Sequence, residues 1–113
     1  MIPEASQSWA VLGGAFDPIH FGHLNLASGA LHNAHLDGVV FVPTYSAAHR
    51  AEPMTASFLE RLAMTYLACE EYDSFEVSDI ESELPEPSYS VHTVQALKKQ
   101  YPGVYWSFLI GAD

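Results

Sequence analysis

The chain has 113 residues, 49% of them hydrophobic and 16% charged, which allows a packed core and excludes wholesale disorder. Four Lys and Arg against 14 Asp and Glu leave a formal charge of −10, too few cations for a nucleic-acid face or for an anionic membrane surface. No apolar run approaches the roughly 20 residues of a membrane span, the start Met1-Ile2-Pro3-Glu4 is unlike a signal peptide, and Cys69, the single cysteine, has no internal disulfide partner. A soluble, cytoplasmic α/β chain is expected, with one domain over residues 1–113.

Strand and helix signals alternate. Trp9-Ala10-Val11-Leu12 is a short apolar run that ends at Gly13-Gly14, the mark of a buried strand entering a turn. From Gly22 to Ala34, Leu24, Ala27 and Leu31 recur at helical spacing, and Gly38 breaks the pattern. Val39 to Val42 make a second buried strand stopped by Pro43, followed by a loop over 43–56. Ser57 and Glu60 have capping-box spacing and open a helix whose apolar positions are Leu59, Leu62, Ala63, Tyr66 and Leu67. Phe75-Glu76-Val77 is a weak third strand, and the acids and prolines of 79–88 predict a solvated loop. Ser90 is a candidate cap for a helix with Val91, Val94 and Leu97 inward and Lys98-Lys99 at its end, where cations suit the dipole. Tyr105 to Ile110 form a fourth strand. This order predicts a Rossmann-like parallel sheet with helices on both faces and its ligand at the carboxyl ends of the strands. The chain stops three residues after the fourth strand, so C-terminal elements are expected to be missing.

The densest chemical signal is Gly-Gly-Ala-Phe-Asp-Pro-Ile-His-Phe-Gly-His, residues 13–23, where the first strand hands over to the first helix. Glycines there let the backbone approach a ligand. His20 and His23 share a face beside the unsatisfied N–H groups of a helix start, which suits an anion and phosphate above all. It is neither a Walker loop nor the dinucleotide fingerprint. A solvated or core-satisfied histidine pair is the plain alternative, and a metal site of His20, His23 and His49, with Asp17 behind it, is another. Of the four cations, Lys98 and Lys99 suit a helix end, leaving Arg50, in a loop beside His49, and Arg61, in a helix, as candidates for phosphate. For Arg61 an ion pair is an equal reading.

The first motif resembles the nucleotidylyltransferase superfamily pattern Gly-Gly-x-Phe-Asp-Pro-x-His-x-Gly-His, and within it the chain is most similar to the bacterial nicotinate mononucleotide adenylyltransferases. Val42-Pro43 with His49-Arg50, Arg61-x-x-Met64 continuing to Ala68, Ser88-Tyr89-Ser90 with Thr93, and Phe108-Leu109-Ile110-Gly111-Ala112-Asp113 resemble further family segments in the expected order. Ala15 departs from the usual Thr or Ser, Ala47-Ala48 from a proline pair, and Ser90 from Thr. The family's aromatic segment and its Ser/Thr-rich motif ending in Arg have no counterpart here, so the chain resembles an amino-terminal portion.

The resemblance implies an enzyme that transfers adenylyl from ATP to nicotinate mononucleotide, giving deamido-NAD and pyrophosphate. It implies His20 and His23 as catalytic residues at the α-phosphate. It places Gly13, Gly14, Phe16, His49, Arg50, Gly111 and Asp113 on ATP, and Tyr89 and Ser90 near the mononucleotide. Magnesium would come with ATP, held by phosphates and water rather than by a protein cage. No nucleic acid or membrane partner is expected. The rival readings are a phosphopantetheine or cytidylyl transferase and an inactive nucleotide-binding fragment, and the isolated 113 residues are expected to bind nucleotide weakly.

Overall fold

The computed structural model describes residues 2–45, 54–84 and 90–109, with the side chain of Ser90 outside the description. The elements run in the expected alternation: β1 (Ser8–Gly14), α1 (Phe21–Asn33), β2 (Gly38–Pro43), α2 (Phe58–Cys69), β3 (Phe75–Val77), α3 (Ser90–Gln100) and β4 (Tyr105–Leu109). The four strands form one sheet in the order β3-β2-β1-β4, and every pairing is parallel.

β1 and β2 are apolar at nearly every position because both faces of the sheet are covered. Ala10, Leu12, Val39 and Phe41 point into one core with Phe16, Leu24, Ala27 and Cys69, the side carrying α1 and α2. Their alternating neighbours Trp9, Val11, Val40 and Val42 pack with Leu97 of α3 on the other side. The Rossmann-like expectation of helices on both faces therefore holds. In β4, Tyr105 is 68% and Phe108 41% exposed.

Trp9 pairs with Gly38 across β1 and β2. A Cβ on Gly38 would lie 2.3–2.7 Å from atoms of the Trp9 ring, a ring that is fully buried. Gly38→Ala is accordingly expected to cost about 1–3 kcal/mol through overpacking. A urea titration followed by Trp fluorescence checks this, and an unchanged midpoint would contradict it.

Several sequence expectations are corrected. Helix α1 keeps its expected extent, ending at Asn33 with Ala34 as C-cap, and what stops it is His35 at a left-handed φ of 53° with the Leu36 N–H returning to the Leu31 carbonyl at 3.2 Å, a Schellman turn. Helix α2 does start with the Ser57–Glu60 capping box, yet it buries Arg61, Thr65 and Cys69, while Leu59 and Leu67 are 74% and 67% exposed. The rotation follows Arg61, whose guanidinium is tied down inside the protein. The acidic stretch after β3 contains a 3₁₀ turn, Ile80–Glu83, and Glu81 within it is buried. Helix α3 begins at Ser90, the residue expected to cap it. It turns Leu97 and Thr93 inward and leaves Val91 58% exposed.

Cys69 faces the core, and burial, helped by the Glu76 charge, pushes its thiol up to about 12. At pH 8 on the order of one molecule in ten thousand would carry the thiolate, the nucleophilic form. The native chain should resist a disulfide reagent at that pH and react fully once unfolded in urea; stoichiometric native labelling would overturn this reading.

Candidate phosphate site at the first strand-to-helix turn

From β1 the chain builds outward to β2 and β3 and then returns to the other side of β1 with β4. The strand order therefore reverses beside β1, and the ligand crevice of such a sheet opens at the carboxyl end of that strand. Gly13, Gly14 and the turn into α1 lie at this point. Gly13 is exposed, and among the described residues a Cβ there would meet only the Val42 carbonyl, at 3.9 Å.

Phe16 follows with a left-handed φ of 50°, an unfavourable conformation for a bulky residue that persists where surrounding contacts enforce it. Those contacts are internal. The ring is 1% exposed, meets His23 edge-on with centroids 4.9 Å apart, and packs on Phe41 at 5.9 Å. Phe16 thus sits behind the histidines, in the core.

His20 and His23 come together as the spacing predicts, with ring centroids 3.9 Å apart and planes inclined by 31°. His20 is the N-cap of α1, extended at φ −144°, and the two residues form a reciprocal capping box. The Gly22 N–H donates to His20 Nδ1 at 3.1 Å, and the His20 N–H donates to His23 Nδ1 at 3.1 Å. Two of the N–H groups expected to stand open at the helix start are therefore taken by the imidazoles themselves. The network assigns the tautomer: a ring nitrogen that accepts carries no proton, so each neutral imidazole holds its proton on Nε2. Both rings are set as Nε2–H donors at a helix N-terminus, where the dipole adds partial positive charge. His20 is exposed and His23 is 4% exposed.

Gly22 has a specific part that its sequence position did not reveal. A Cβ there would lie 2.8 Å from the His20 ring, so only glycine lets the imidazole fold back over its own cap. Asp17 orients turn amides: it accepts from the Thr55 and Ala56 N–H groups ahead of α2. Arg61 is 1% exposed. Its Nη1 donates to the carbonyls of Ala15 at 2.8 Å and Thr44 at 2.7 Å, and its Nε donates to Ala56 at 3.1 Å. These carbonyls hold the guanidinium behind the turn. Glu81 was missed, being one of four acids in a stretch read as solvated, and no local signal would have marked it.

His49, Arg50, Tyr89, Gly111 and Asp113 lie outside the described residues, and Ser90 is described only as the first residue of α3. Among the described residues, no group of three or more His, Cys, Asp or Glu is placed to hold a metal ion. None of the described helices is long and apolar enough to cross a membrane. A groove of about 560 Å³ is lined by His20 together with Ile19, Phe21, Leu24, Leu67, Glu71 and Tyr72 among others.

The profile of the cytidylyltransferase-like family matches residues 11–113. A curated protein from Hydrogenovibrio crunogenus named "Probable nicotinate-nucleotide adenylyltransferase" is 46% identical over 101 residues, covering 89% of this chain and 48% of that protein. One of the same name from Methylacidiphilum infernorum is 41% identical over 104 residues, covering 92% and 51%. The chain spans about half the length of these curated relatives. Among solved structures, the Plasmodium falciparum nicotinic acid mononucleotide adenylyltransferase complexed with NaAD superposes with a TM-score of 0.73 at 18% identity, over 90% of this chain and 50% of that one; at that identity the likeness concerns the fold. Because the profile takes in the histidine turn and every helix that packs around it, the chain belongs to the cytidylyltransferase-like family.

Proposed function

We propose that this chain carries the phosphate-holding part of an enzyme that transfers adenylyl from ATP to nicotinate mononucleotide in NAD biosynthesis. The observation that carries the reading is the reciprocally capped His20–His23 pair, two Nε2–H donors at a helix start beside the exposed Gly13. The names of the curated relatives support the choice of substrates.

In this reading a 5′-phosphate oxygen of the mononucleotide attacks the α-phosphorus of ATP. The bond from that phosphorus to the bridging oxygen breaks, and pyrophosphate leaves. The attacking oxygen is already anionic, so no general base is required, and catalysis comes from alignment and from stabilising charge as it builds on the α-phosphoryl oxygens. His20 and His23 donate to those oxygens, with the α1 dipole behind them. Gly13 and Gly14 let the triphosphate lie against the backbone, His49 and Arg50 contact phosphate, Gly111 and Asp113 hold the adenosine part, and Tyr89 and Ser90 face the mononucleotide. Phe16 serves this site by supporting the His23 ring. Magnesium, when bound, neutralises triphosphate charge. The imidazole and N–H donors present suit phosphate oxygens better than that cation, which fits an ion held by the phosphates and water. A cytoplasmic location, with no nucleic-acid partner, belongs to the same reading.

Calorimetry with Mg-ATP, comparing the chain with a His20→Ala/His23→Ala variant, tests it. The expected result is binding that the variant weakens at least about 100-fold, the worth of two charge-assisted hydrogen bonds. Equal affinity in two folded proteins, or turnover with phosphopantetheine and none with the mononucleotide, would overturn the assignment.

A further inference from the structure

Behind the histidine turn, two buried side chains of opposite charge hold the two ends of one peptide group. Arg61 Nη1 donates to the Thr44 carbonyl at 2.7 Å. The N–H of the same peptide, that of Tyr45, donates to Glu81 Oε1 at 3.2 Å. Arg61 and Glu81 are 1% and 8% exposed. The cation faces the negative end of the peptide dipole and the anion its positive end, so each charge strengthens the hydrogen bond made by the other, and in a low-dielectric interior this polarisation is effective.

Both ends of the arrangement are anchored. The second carboxylate oxygen of Glu81 accepts from Thr93 Oγ1 of α3 at 2.8 Å. The same Arg61 nitrogen that grips Thr44 also donates to the Ala15 carbonyl at 2.8 Å, and the Thr44 N–H donates to the Gly14 carbonyl at 2.8 Å. A continuous path thus runs from α3 through Glu81, the Thr44–Tyr45 peptide and Arg61 to the turn between Gly14 and Phe16, whose ring supports His23.

We propose that Arg61 and Glu81 are positioning residues that act as one unit through the Thr44–Tyr45 peptide, and that this unit holds the β1–α1 turn in the shape that presents the histidines. Packing by itself would make the two side chains independent contributors to stability. Coupling through one peptide requires that a change at Glu81 be felt at Ala15, and a change at Arg61 be felt at Tyr45.

Amide resonances of the full chain carrying Arg61→Lys, Glu81→Gln or both distinguish these. The Phe16 amide belongs to the peptide whose carbonyl Arg61 holds, and the Tyr45 amide belongs to the shared one. Glu81→Gln is expected to move Phe16 as well as Tyr45, Arg61→Lys to move Tyr45 as well as Phe16, and the double variant to move neither much beyond the larger single effect. Shifts confined to each residue's own partners, or strictly additive in the double variant, would overturn the proposal. Thr93→Val, which removes the other hydrogen bond of the same carboxylate, gives the same discrimination should Glu81→Gln not fold. A second arm rests on the phosphate-site reading above: Glu81→Gln should weaken Mg-ATP binding roughly tenfold, the worth of one ordinary hydrogen bond. A parent chain that binds no Mg-ATP would remove that reading, while the ligand-free amide pattern would still decide the coupling.

Discussion

Gly22→Ala is expected to weaken Mg-ATP binding by about 10- to 100-fold, the 1.5–3 kcal/mol of a hydrogen bond to a charged group, while the unfolding midpoint changes little. The new methyl would sit 2.8 Å from the His20 ring, and an imidazole on a single residue at a helix cap can swing away at small cost. Alanine is the better helix former by about 1 kcal/mol, which offsets the lost cap bond from Gly22 to His20. Function and stability therefore separate. Calorimetry and a urea titration on the same sample read both, and a folded variant of unchanged affinity would take His20 out of the phosphate site.

Phe16→Ala is expected to do the reverse, costing about 3–5 kcal/mol of stability as a large-to-small change at a filled position. Against a total of about 5–15 kcal/mol, that removes about a fifth of the stability or more. The ring is 1% exposed and touches His23 and Phe41, so its removal opens a cavity directly behind the imidazole. Phe16→Leu keeps most of the volume and should cost only about 1 kcal/mol, yet it loses the flat edge that His23 rests on. Denaturation of the pair, with Mg-ATP affinity of the leucine form, checks this. A leucine variant that binds as well as the parent would show that the His23 ring needs no aromatic support.

The strands were legible because their burial is two-sided: Trp9 to Leu12 and Val39 to Val42 read as unbroken apolar runs, and the structure packs alternate residues into separate cores. The histidine pair was legible from residue type and spacing. Its tautomer was not, because that depends on His20 leaving the helix at an extended φ and on His23 reaching back to its N–H. Helix α2 was legible as a helix and misread in rotation. Leu59 and Leu67 carry the apolar periodicity, while the buried stripe is Arg61, Thr65 and Cys69.

That last difference marks the boundary between what this sequence determines alone and what only tertiary structure decides. Element type, element order and the chemistry of the Gly13–His23 turn follow from local pattern, since backbone propensity, capping and glycine freedom act within a few residues. Burying the Arg61 guanidinium is favourable only when carbonyls from Ala15, Thr44 and Ala56 converge on it, and burying Glu81 only when Tyr45 and Thr93 are there to donate. Those partners lie 5 to 46 positions away along the chain, so the desolvation cost of each charge is met by groups that no window of sequence contains.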